Sequence, residues 1–60
     1  MATLKAIRES KFFSQHDLAE VTGMSVTTIN RIEKGRNKPL PRTIRKIAKA
    51  LGVDPSAIDW

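Results

Sequence analysis

Apolar positions along the chain recur at helical spacing and are interrupted by serine, glycine and proline. Leu4 and Ile7, with Lys5, Arg8 and Glu9 around them and Lys11 next at the same spacing, predict a first helix over about Thr3 to Ser10. Phe12 and Phe13 follow, and the pattern expects at least one to plug the core where the chain turns; both read as core residues. Ser14 is a good N-cap, with Asp17 three residues on, so a second helix should run to Val21 or Thr22. Gly23 ends it, since a left-handed cap costs glycine little. Ser25 caps a third helix that should reach about Lys34, and Gly35 closes it.

The segment RNKPLP, residues 36–41, reads as a loop, because each proline disfavours helix in the residue before it. Pro41 suits the first turn of a fourth helix, whose Ile44, Ile47, Ala48 and Leu51 form an i, i+3, i+4, i+7 stripe ended by Gly52. Asp54 and Pro55 predict a last short helix, with Val53 and Ile58 folding back as a lid. Strand signals, repeats and linkers are missing. The expected fold is all-α: five short helices around one core, in a single domain over residues 1–60 with a helix-turn-helix core at 15–34.

Length and charge narrow what such a bundle can do. Sixty residues give one domain, which buries only roughly 60% of its unfolded surface and leaves no room for an extensive enclosed active site. The formal net charge of +5 favours a polyanionic partner. The chain has no cysteine, so disulfides and thiolate metal sites are excluded, and a reducing compartment fits. No apolar run approaches the roughly 20 residues of a membrane span, and the N-terminus lacks the apolar stretch of a secretory signal. A cytoplasmic, nucleoid-associated location without membrane contact is expected.

The side chains facing outward from the third helix supply the candidate chemistry. Ser25, Val26, Thr27, Asn30 and Arg31 are candidates for base edges in a DNA major groove. Arginine can bond guanine O6 and N7 together, while valine and the threonine methyl can pack on thymine methyls. Asn30 could read adenine, although it stands farther round the helix. Gln15, just inside the second helix, is a candidate for a backbone phosphate, which that helix end attracts. Thr28 is a further candidate for the DNA backbone. His16 is the only histidine and reads as solvated. No catalytic residue, metal site, cofactor or small-molecule substrate is expected.

The residues Ser14-Gln15, Leu18-Ala19, Gly23, Ser25, Ile29, Ile32-Glu33, Gly35, Pro39 and the run Ile47-Ala48-x-Ala50-Leu51-Gly52-Val53 resemble the Cro/C1-type, or XRE, helix-turn-helix family of phage and bacterial repressors. The resemblance covers Leu4 to Ile58. It implies a lambda-repressor-like bundle of five helices and a recognition helix in the major groove. It also implies double-stranded operator DNA as ligand, bound as a homodimer on a two-fold-symmetric site. It implies that Gln15 grips the DNA backbone and braces the recognition helix. By the same resemblance Arg36, Asn37, Lys38 and Arg42 touch phosphates, and Arg8 pairs with Glu33, partly buried. The family often has glycine where this chain has Phe12.

Rival readings are a protein-interaction or antitoxin-type module, which the small polar face of the third helix disfavours, and the DNA-binding head of a longer regulator. RNA binding is weaker for want of stacking aromatics. Val53, Ile58 and Trp60 form a candidate dimer patch, against the alternative that Trp60 packs on its own domain. The chain ends about where the family domain ends, so either a complete small regulator or the N-terminal piece of a longer one is expected.

Overall fold

The computed structural model describes residues 2–36 and 38–60. Strand β1 (Ala2–Thr3) leads into α1 (Leu4–Ser10), α2 (Gln15–Thr22), α3 (Val26–Glu33) and α4 (Pro41–Leu51). A 3-10 turn at Pro55–Ala57 and strand β2 (Ile58–Asp59) follow. The two strands pair in parallel, Ala2 with Ile58 and Thr3 with Asp59, and join the two ends of the described chain. Helix α2 packs against both α3 and α4.

Local chemistry sets the helix starts. The Thr3 hydroxyl accepts from the Ala6 N–H at 3.1 Å, so Thr3 is the cap of α1 and not its first turn. Ser14 and Asp17 form a reciprocal capping box: the Asp17 N–H donates to Ser14 Oγ at 2.9 Å, and the Ser14 N–H donates to Asp17 Oδ2 at 3.0 Å. That backbone donor, then the Ser14 hydroxyl, holds the Asp17 carboxyl below its ordinary range. Ser25 caps α3 through the Thr28 N–H at 3.1 Å. Pro41 opens α4, where its missing N–H does no harm.

All four helices end on one hydrogen-bonded turn. Phe13, Met24, Arg36 and Val53 each return an N–H to the carbonyl five residues back, at 3.1, 3.0, 2.9 and 3.0 Å. The residue just before each of them lies in the left-handed region. Three of these positions are glycine, and the first is Phe12, at φ 62°. The left-handed backbone costs a residue with a Cβ roughly 1–2 kcal/mol.

The core comprises Leu4, Leu18, Ala19, Ile29, Ile32, Ile47, Ala48, Leu51 and Ile58. Ile7, Phe13 and Trp60 pack partly buried against it. Phe12 departs from the expectation: it is 93% exposed. The left-handed step reverses the chain so that Phe13 turns inward in its place. The expected fifth helix is also corrected, leaving four α-helices and one 3-10 turn among the described residues. Only three residues separate Asp54 from Ile58, whose extended backbone (φ −110°, ψ 134°) carries its side chain into the core and pairs with β1. The two strands were unreadable because two residues cannot show alternation.

Candidate nucleic-acid interface

Burial of Ile29 and Ile32 fixes which side of α3 faces out. At about 100° per residue, the opposite side carries Val26, Thr27, Asn30 and Arg31. Thr27 and Arg31 are exposed, Asn30 is half-buried, and Val26 is exposed at the start of the helix. Ser25 is exposed, but its hydroxyl accepts from the Thr28 N–H and shares a 2.8 Å hydrogen bond with the Thr28 hydroxyl. Thr28 is half-buried and faces a groove lined by Met24, Ile32, Arg36, Lys38 and Leu40.

Arg36 and Lys38 therefore flank α3, and Arg42 stands exposed in the first turn of α4. Among the described residues, none of Arg31, Arg36, Lys38 and Arg42 has a carboxylate within ion-pair distance. Their charge is free to act on an anion. Asn37 lies outside the described residues.

Glu33 would be the acid that spoils this basic edge, and the fold takes it out of play. Arg8 Nε donates to Glu33 Oε2 at 2.6 Å, and Arg8 Nη2 donates to Oε1 at 3.3 Å. Their side chains are only 7% and 4% exposed. Gln15 Nε2 donates to the same Oε1 at 3.0 Å, and Arg8 Nη1 donates to the Phe13 carbonyl at 2.6 Å. One guanidinium thus joins α1, the turn after it and the end of α3, and one carboxylate joins α3 to the first residue of α2. The fork shape of arginine suits this two-point grip on a carboxylate.

The Phe13 carbonyl was not among the expected partners, and no pattern of side chains can announce a main-chain acceptor. His16 is exposed, with Nδ1 4.0 Å from Glu20 Oε2 one helical turn on. Among the described residues no group of three or more His, Asp or Glu side chains is placed to hold a metal, and no helix is long and apolar enough to cross a membrane. The C-terminal patch is largely internal. Ile58 is 1% exposed, Trp60 packs on its own domain, and its indole N–H donates to the Pro55 carbonyl at 3.0 Å.

Residues 4–58 match the profile of the helix-turn-helix family. The chain is 39% identical over 54 residues to an uncharacterized HTH-type transcriptional regulator of Mycobacterium tuberculosis, covering 90% of this chain and 21% of that protein. It is 43% identical over 51 residues to the HTH-type transcriptional repressor RghR of Bacillus subtilis, covering 83% of this chain and 38% of RghR. The chain thus spans about a fifth to two fifths of the length of these relatives. Among solved structures it is similar to the restriction-modification controller protein C.AhdI of Aeromonas hydrophila. The TM-score there is 0.85 at 30% identity, covering 88% of this chain and 80% of that one.

Proposed function

The chain belongs to the helix-turn-helix family of the Cro/C1 type, and we propose that it binds double-stranded operator DNA as a transcriptional regulator, with α3 in the major groove. One observation carries the reading. The outward side of α3 offers short polar side chains and Arg31, while the nearest acid, Glu33, is bound up by Arg8 and Gln15. Such a surface meets a polyanion without repelling it and still presents hydrogen-bonding groups to base edges.

Position on the fold supports a division of labour. Val26, Thr27 and Arg31 reach base edges, with Ser25 and Asn30 at the margins of that face. Gln15, Thr28, Arg36, Lys38 and Arg42 meet the sugar–phosphate strands on either side, and the family resemblance adds Asn37 to them. Gln15 has two amide protons and a carbonyl, so its bond to Glu33 leaves it able to donate to a phosphate. A repressor, acting in the cytoplasm at the nucleoid, is the form this activity takes in our reading. Two copies would occupy a two-fold-symmetric site, since one small domain offers few phosphate contacts.

Selection from a randomised duplex pool at two salt concentrations tests this. Enrichment of a palindrome with half-sites about one helical turn apart supports it. Three phosphate-facing cations per copy, Arg36, Lys38 and Arg42, give a slope of log affinity on log salt of about −5 for a pair. A steep slope without an enriched motif would leave only a non-specific basic surface and would overturn the proposal.

A further inference from the structure

Phe12 breaks two local rules at once. Its ring is 93% exposed, and its backbone occupies the left-handed region at φ 62°. The other three helices close on the same turn with glycine in that place. Among the described residues no packing offsets the strain. A strained residue that leaves a large apolar ring in solvent points to a contact outside the chain.

The surroundings select the partner. Phe12 stands three residues before Gln15, so their Cα atoms lie within about 10 Å. The turn it belongs to is tied through the Phe13 carbonyl and Arg8 to Glu33 at the end of α3. The turn that carries the ring therefore borders the edge proposed above to face DNA, and Lys11 beside it is exposed. The net charge of +5 and the exposed Lys11 attract a nucleic-acid strand to this edge.

We infer that Phe12 is itself a DNA contact, its ring lying against the deoxyribose of the strand whose phosphate meets Gln15. The inference rests on the DNA-binding reading. Sugar C–H groups flank every phosphate and are apolar, so the contact adds affinity and carries no sequence information.

The test uses the duplex enriched from the randomised pool, with affinity and melting temperature measured for Phe12→Ala and Phe12→Gly. Both variants should bind roughly five- to tenfold more weakly, the loss expected when part of an aromatic face is no longer buried. The salt slope should not change, because no charge is removed, and the preferred bases should stay the same. Phe12→Gly should melt higher than wild type, and Phe12→Ala should not. Wild-type affinity in both variants overturns the inference and leaves the ring to a protein partner. Affinity that tracks melting temperature instead of the ring overturns it equally. A wild-type domain that binds no duplex fails the DNA-binding reading itself, a result distinct from either.

Discussion

Replacing Glu33 by alanine should damage folding before it damages DNA binding. The carboxylate holds three hydrogen bonds, two from Arg8 and one from Gln15, with both charged side chains almost fully covered. Glu33→Ala leaves the Arg8 guanidinium inside the fold with the Phe13 carbonyl as its remaining acceptor. Orphaning one partner of a buried pair costs about 3–5 kcal/mol. The surviving carbonyl contact places this case at the lower end, about 3 kcal/mol. Typical domains hold about 0.05–0.15 kcal/mol per residue, or roughly 3–9 kcal/mol for sixty residues. The variant would therefore lose a third or more of its stability. At about 4–8 °C per kcal/mol for a small domain, its melting temperature should fall by roughly 12–24 °C, read by circular dichroism at 222 nm. Glu33→Gln should lose less, since its amide oxygen still accepts from Arg8. The double variant Arg8→Met, Glu33→Leu should recover part of the loss, because it strands no charge. Affinity measured at low temperature, with the variant still folded, should fall only modestly as Gln15 loses its brace. An unchanged melting temperature in Glu33→Ala would refute this reasoning.

Other sites give independent checks. Arg31→Ala should weaken binding to the enriched duplex by about 1–3 kcal/mol and relax the preference at one guanine, read by competition with single-base variants. A uniform loss across sequences with a shallower salt slope would make Arg31 a phosphate contact instead. The Asp17 carboxyl is held low by the Ser14 backbone N–H and then by the Ser14 hydroxyl. Its stabilisation is thus present above the unfolded pKa and lost as pH falls through the lower folded value. The melting-temperature gap between wild type and Asp17→Asn should be constant from neutral pH to about 5 and close below the ordinary value of 3.8; a gap that persists in strong acid contradicts it. Gly23→Ala meets nothing within 4 Å at its new Cβ, so backbone conformation alone (φ +70°) should cost about 1 kcal/mol in chemical denaturation.

The helices were legible because each carries its own punctuation. Ser14 and Ser25 start α2 and α3, Gly23, Gly35 and Gly52 follow the helix ends, and Ile47, Ala48 and Leu51 mark the buried stripe of α4. Two places were not legible. At the first helix end the hydrogen-bonded turn fixes a left-handed backbone against the preference of Phe12, so a ring that looks like core faces solvent. At the last turn, pairing of Ile58 with Ala2 joins residues 56 positions apart, and a long-range contact between such short strands leaves no periodic trace. The candidate site divides in the same way. Arg8 and Glu33 came from the family resemblance, and their geometry adds what the resemblance did not contain: the Phe13 carbonyl as a third anchor of the guanidinium. The base contacts proposed for Arg31 and its neighbours depend on a partner outside the fold.

Titration of isotope-labelled domain with the enriched duplex, followed by amide chemical shifts, tests the central claim most directly. The account predicts that the largest changes fall on residues 25–31, with a second set at 12–16 and around 36–42. Changes confined to the outward faces of α1 and α4, with α3 unmoved, would contradict it.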